Sequence, residues 1–282
     1  MKKIPLTGKL SLTNKGELQI FFIGVGSAFA SLNFQTNFII VKGNQHLLVD
    51  FGNKSQIALE QVAGLKTTDI EFFLPTHSHS DHVGGIETIA LMSRYVGVPI
   101  LKRTKPTMII TEEYQRVLWD NTLRGGICFN EREEENKRNL SFGDYFQVIR
   151  PTWKQHQPRE IFEVNLGGIS LEIFRTKHIP DNASNWETSF VSYGLFIDGH
   201  VFISCDTKFD IDLINMYADS STVMFHDVQF FDGGVHAPLN ELKKLPAEIK
   251  EKMYLMHYGD NWESQDITGF AGLTQQGIIY QP

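Results

Sequence analysis

Cysteine is scarce in this chain: Cys128 and Cys205 are the only two in 282 residues. That excludes a fold built on disulfides, and the expected compartment is a reducing cytoplasm. Cys205 sits inside an apolar run, as a packed thiol would. Positive charge is also short. Lys and Arg number 26 against 33 Asp and Glu, a formal net charge of -7. Proteins that grip long nucleic acid by its phosphates carry a basic face, so no such partner is expected. No apolar run approaches the roughly 20 residues of a membrane helix. Residues 1–9 carry lysines and no apolar signal core, so neither secretion nor a membrane partner is expected. Repeats and low-complexity linkers are absent. At 41% hydrophobic and 21% charged, the composition is that of a globular protein.

The first half opens with strand-like runs. Residues 18–23 are apolar and β-branched or aromatic, and Gly24 and Gly26 break the run. Residues 37–41 and 46–50 read as a hairpin turned at Gly43-Asn44. A helix over 55–63 should end at Gly64. The strand 70–74 runs into Pro75-Thr76-His77. Helical spacing predicts helices over 86–95 and 111–120. Residues 125–138, with four acids between Glu131 and Glu135, read as a solvated loop. Further on, strands are expected over 169–174 and 189–197. Val191, Tyr193, Leu195 and Ile197 share one face of the latter in a half-buried alternation. A turn at Asp198-Gly199 leads to a strand over 201–205. A helix over 211–217, a strand over 223–226, a helix over 239–245 and a strand over 254–257 follow. This order predicts an α/β chain of two sheets with helices outside.

The strongest chemical signal is Thr76-His77-Ser78-His79-Ser80-Asp81-His82. Three imidazoles and a carboxylate leave the end of one apolar strand. His77 and His79 can face one cation, Asp81 and His82 a second. Imidazole with carboxylate suits zinc, with manganese the alternative.

H-x-H-x-D-H followed by Gly84-Gly85 and a helix resembles the metallo-β-lactamase superfamily. The resemblance implies an αββα sandwich of two mixed sheets flanked by helices, forming a single domain over 1–282. It also implies three downstream ligands, matched here by His178, Asp206 and His257, each after an apolar strand. His77, His79 and His178 would hold one divalent ion, and Asp81, His82 and His257 the other. Asp206 would bridge them. Two such cations can share a carboxylate and a hydroxide, lower the pKa of that water and neutralise phosphoryl charge. Asp81 would also accept the proton of the attacking water. Asp50 would take a hydrogen bond from a metal-facing imidazole.

His226-Asp227 after a strand, and His236 in the loop beyond Gly233-Gly234, resemble the ribonuclease Z branch. There a His-Glu pair cooperates with a loop His that protonates the leaving oxygen. Here Asp227 stands where that branch has Glu. Transfer-RNA-processing members carry an arm between the third His and the bridging Asp. His178 and Asp206 are only 28 residues apart, too few for it. The remaining group is similar to the anti-Pycsar enzymes, which open cyclic mononucleotides used as antiviral signals. The expected substrate is therefore a small nucleotide, and the expected assembly a homodimer. The segment 105–160, with Trp119, Arg124, Phe129 and Trp153, is the candidate lid or dimer contact. Competing readings are a ribonuclease Z-like nuclease, a lactonase, an arylsulfatase-like enzyme or a non-catalytic nucleotide-binding protein. A flavodiiron-type centre would need a carboxylate in place of His79.

Overall fold

A computed structural model describes residues 1–132, 134 and 137–282. The strands, in chain order, are β1 (Lys2–Pro5), β2 (Gln19–Gly24), β3 (Asn37–Lys42), β4 (Gln45–Val49), β5 (Phe72–Leu74), β6 (Thr107–Ile109), β7 (Gln147–Ile149) and β8 (Thr152–Gln155). Then come β9 (Ile161–Leu166), β10 (Ile169–Arg175), β11 (Tyr193–Ile197), β12 (Val201–Ile203), β13 (Val223–Asp227), β14 (Met253–Met256), β15 (Gly272–Leu273) and β16 (Ile278–Gln281). They form two eight-stranded sheets, ordered β1-β16-β2-β3-β4-β5-β6-β7 and β15-β14-β13-β12-β11-β10-β9-β8. The chain crosses from the first sheet to the second at Arg150-Pro151 and returns only with β16.

The sheets pack through aromatic side chains. Phe225 of β13 meets Phe22 of β2 at 5.0 Å and Tyr280 of β16 at 5.2 Å. Helices cover the outer faces. The helix Ser55–Ala63 buries Ala58, Leu59 and Ala63. Gly64 closes it in the left-handed conformation that a Cβ disfavours. The helix Ile211–Ala218 buries Tyr217 against Phe174, Phe196 and Phe202 of the second sheet. This is the αββα sandwich, with helices outside two mixed sheets. Among the described residues no helix is long and apolar enough to cross a membrane.

Strand direction positions the site. β4 and β5 run parallel, as do β12, β13 and β14. β10 points the same way as β12, because β11 is antiparallel to both. The C-terminal ends of these strands therefore open at one edge of the sandwich, where loops can converge.

Several expected elements differ. Only residues 193–197 of the segment 189–197 form a strand, and Gly194 and Phe196 are buried along with the expected face. That strand lies between β10 and β12 and is covered on both sides, which removes the alternation. The helices expected over 86–95 and 111–120 each pass into a π-helical turn, Ser93–Gly97 and Trp119–Leu123. The latter runs on into the helix Arg124–Ile127, so the expected loop begins after it. Glu133 and Glu135 of the acidic run lie outside the described residues. Glu131 is not free in solvent: it takes both Nε and a terminal nitrogen of Arg94 at 2.7 Å. The helix over 239–245 is shorter, Leu239–Leu242.

Candidate metal centre

Every metal-facing residue expected from the sequence reaches this edge. After β5 the chain runs to His79, itself extended, and then turns into the short helix Ser80–Val83, which carries Asp81 and His82. His178 follows β10, Asp206 follows β12, and His257 directly follows β14. The donors fall into two groups, His77-His79-His178-Asp206 and Asp81-His82-Asp206-His257. Within each, the ligand atoms lie within 4.8 Å of one another, and Asp206 belongs to both.

Hydrogen bonds turn a defined nitrogen of each ring inward. A carbonyl or carboxylate only accepts, so the ring nitrogen facing it must carry the proton. His82 Nδ1 donates to Asp50 Oδ2 at 2.7 Å, and His178 Nδ1 to the Val235 carbonyl at 2.8 Å. Thr76 Oγ1 donates to Asp50 Oδ2 at 2.8 Å and so accepts from His77 Nδ1 at 3.1 Å. In all three rings Nε2 is left to face the cluster. His79 presents Nδ1, 3.0 Å from His77 Nε2 and 3.1 Å from His178 Nε2. His257 turns Nε2 to Asp81 at 3.3 Å and Nδ1 to Asp227 Oδ1 at 3.4 Å.

The donor set fits divalent cations. Asp206 is 1% exposed, and neither of its carboxylate oxygens has a hydrogen-bond donor among the described residues. Around Oδ2 stand His82 at 3.2 Å, His257 at 3.5 Å, and His77 and His178 at 3.7 Å. A buried carboxylate without a donor is costly unless positive charge lies beside it. Burial opposes charge on Asp206, yet His257 and His82 hold it well below the carboxylate range. Burial likewise opposes charge on His257, but Asp206, Asp227 and Asp81 push it up to about 10. In the other group, burial brings His178 down to about 4 and His77 well below the ordinary imidazole value. These are neutral rings whose lone pairs converge, the state that binds a metal. Zinc accepts such nitrogen and carboxylate donors.

Three non-glycine residues here adopt the left-handed region: Asp50 (φ 61), Cys205 (φ 47) and His257 (φ 62). Each directly follows a strand, or stands one residue beyond it, at the edge where the donors meet. Such strain persists where the surroundings over-determine it, and functional sites are where it clusters.

Asp227 lies at the end of β13. Its Oδ2 accepts from the Thr207 amide at 2.9 Å and from His236 Nδ1 at 2.8 Å. Asp in place of Glu thus reaches the loop histidine directly. His226 does not join the site. It is wholly buried, donates to the Asp227 carbonyl and stacks on Phe202. Alternation along a strand sends neighbours to opposite faces, so His226 and Asp227 cannot both face the cluster.

A cavity of about 590 Å³ opens beside the donors, lined by His79, Asp81, Val235, His236, Lys54 and Phe29 among others. Trp119, Arg124, Phe129 and Trp153 are not among its lining residues. Trp119 packs on Phe142, and Trp153 stands exposed on β8. The segment 105–160 supplies β6, β7 and β8 and, between β6 and β7, the helices Glu112–Leu118, Arg124–Ile127 and Phe142–Tyr145. Sequence reading missed Phe29 and Lys54. The one available signal was an aromatic residue amid small and polar neighbours in Ser27-Ala28-Phe29-Ala30-Ser31. A larger cavity of about 830 Å³, at Arg159, Trp186 and Asp210, contains none of the clustered donors. The chemistry lies at the smaller one.

Sandwich and donor set together define the class: a metallo-β-lactamase-fold chain with the site of a metal-dependent hydrolase. The fold is similar to the metallo-β-lactamase fold protein YhfI from Bacillus subtilis, with a TM-score of 0.67 and 15% identity over 94% of this chain and 99% of that one. The family described as anti-Pycsar protein Apyc1 matches residues 18–280, and this chain belongs to it. It is 35% identical to the anti-Pycsar protein Apyc1 of Bacillus phage BSP38 over 268 residues, covering 93% of this chain and 97% of the relative. Its counterpart from Paenibacillus sp. (strain J14) is 32% identical over 267 residues, covering 93% and 98%.

Proposed function

We propose that the chain is a dinuclear phosphodiesterase that opens small cyclic phosphodiesters, cyclic mononucleotides foremost. The observation that carries this reading is the Asp227-His236 pair beside the donor cluster. A thioester expels a thiolate, which needs a proton from a positioned acid less than the alkoxide of a phosphodiester does. Asp227 commits His236 Nδ1, so Nε2 is the position that takes and gives up a proton. Nε2 makes no hydrogen bond to the described residues, and the ring lines the cavity where a substrate would lie. His236 would thus protonate the leaving oxygen, and Asp227 would hold its ring.

His77, His79 and His178 would hold one divalent ion and Asp81, His82 and His257 the other, with Asp206 shared; zinc is the proposed metal. When bound, such a pair supplies a water of lowered pKa and neutralises charge on the phosphoryl oxygens. Asp81, at the cavity wall, would accept the proton of the attacking water. Asp50 and Thr76 would keep His82 and His77 oriented.

Substrate size follows from the space. A cavity of about 590 Å³ is in the range for a single small ligand. Between His178 and Asp206 the chain forms one loop and the hairpin β11–β12, with no arm that could hold a tRNA. The name of the relatives, anti-Pycsar, supports cyclic mononucleotides within this class.

Metal analysis of the purified protein should return two ions per chain. The loaded protein should then hydrolyse cyclic mononucleotides and leave precursor tRNA untrimmed. Lactone hydrolysis without phosphodiester hydrolysis would overturn the reading, as would efficient tRNA trimming at physiological salt.

A further inference from the structure

Phe29 lines the cavity beside the donors, and yet it is 95% exposed. An aromatic ring normally contributes by burying its faces, and this one buries almost nothing within its own chain. Nor does it hang on a loose tether. Ala30, next to it, is buried. The Asp260 carboxylate accepts from the Ser31 amide at 2.9 Å, the Ser31 hydroxyl at 2.6 Å and the Leu32 amide at 3.0 Å. The Ser27 amide donates to the Tyr258 carbonyl at 3.0 Å, and Lys54 Nζ to the Ala30 carbonyl at 2.9 Å. Tyr258 and Asp260 belong to the segment that directly follows His257. The loop is therefore registered, by hydrogen bonds on both sides of Phe29, to the chain segment that carries a metal-facing histidine.

We propose that Phe29 is the face on which the nucleobase of the substrate stacks while the phosphodiester lies against the donor cluster. This rests on the phosphodiesterase reading above and adds the residue that makes the site prefer a nucleotide over a bare phosphodiester. Every base has a π-face, so stacking on a ring holds a nucleotide with little regard to base identity. A loop backbone already held in place loses little freedom when the base arrives, which favours binding. Leu32, 67% exposed on the same loop, offers a second apolar surface. The alternative occupant of this loop is accordingly a second copy of the chain.

The test compares the metal-loaded full chain with Phe29→Ala and Phe29→Tyr. The substrates are a nucleoside 3′,5′-cyclic monophosphate and 1-O-methylribose 3′,5′-cyclic phosphate, which keeps the cyclic phosphodiester and lacks the base. Phe29→Ala should lower kcat/KM for the nucleotide by about 10-fold or more, chiefly through KM, and leave the base-free substrate unchanged. Phe29→Tyr should restore the nucleotide rate. Equal losses on both substrates, no loss on either, or conversion of a dimer to a monomer by light scattering in Phe29→Ala would each overturn the assignment. If the wild-type protein turns over the two substrates equally well, stacking falls and the phosphodiesterase reading stands. If it turns over neither, the phosphodiesterase reading falls and takes this inference with it.

Discussion

His236 and Asp206 sit 3.8 Å apart in very different surroundings. Asp206 is surrounded by imidazoles and shielded from water, which suits it to cations. His236 is partly exposed, and the bond to Asp227 uses its inner nitrogen, which leaves the other for the proposed substrate. An alternative grouping of Asp206, Asp227, His236 and His257 also has its donor atoms within 4.8 Å, and it would make His236 a ligand. The hydrogen bond to Asp227 argues against that, because Nδ1 there carries a proton and cannot offer a lone pair. His236→Ala should therefore retain two metals and full folding. Its turnover should drop by roughly 10²-fold or more on a substrate with an alkoxide leaving group. On a nitrophenolate, which departs without a proton, the loss should be much smaller. Metal content and the two rates, measured together, check the role; lost metal or equal losses would reassign His236 as a ligand or structural residue.

At the scale of elements, the short helix Ser80–Val83 carries two donors on a single turn, and that turn is held from outside. The Phe51 amide donates to the His82 carbonyl at 2.6 Å, and the Gly85 amide to the Phe51 carbonyl at 2.8 Å. Gly52 lies between them. A Cβ on Gly52 would overlap the Asp81 carbonyl, a backbone atom that cannot swing away. Gly52→Ala should thus push the loop 50–53 and the donor helix apart. Overpacking of this kind costs about 1–3 kcal/mol. The expected outcome is a lower Tm together with weakened metal retention on dialysis against a chelator. A lower Tm with unchanged metal affinity would show that the helix position is set elsewhere.

For the whole molecule, the two sheets divide the donors. Asp50 and the 77–82 segment come from the first, and His178, Asp206, Asp227 and His257 from the second. The site exists only when the sheets pack, so metal binding and the packing of Phe22, Phe225 and Tyr280 are thermodynamically linked. We expect a homodimer as well, with the contact within residues 105–160, where Trp153 on the edge strand β8 and Phe129 stand exposed. Light scattering should return twice the chain mass at micromolar concentration, and Trp153→Ser should weaken the assembly if the contact is there. A strict monomer would remove the idea.

The sequence by itself determined the order of strands and helices along most of the chain, and it named the seven residues that the fold gathers into the two donor groups. Both were local signals. Apolar periodicity reports which face of an element is covered, and ligands that follow strand ends stand beside readable apolar runs. Short strands with weak patterns, such as β1, β7 and β15, escaped, because their burial patterns show no buried residue to mark a face. Tertiary structure alone decided the rest. It put His226 in the core and Asp227 in the site, because pleating sends neighbours apart. It placed β6, β7 and β8 within the segment 105–160, which crosses between the two sheets at Arg150-Pro151. It brought Phe29 to the cavity through hydrogen bonds to Tyr258 and Asp260, partners more than 220 residues away along the chain. No local pattern encodes such a pairing; only the closing of the sandwich brings those segments together.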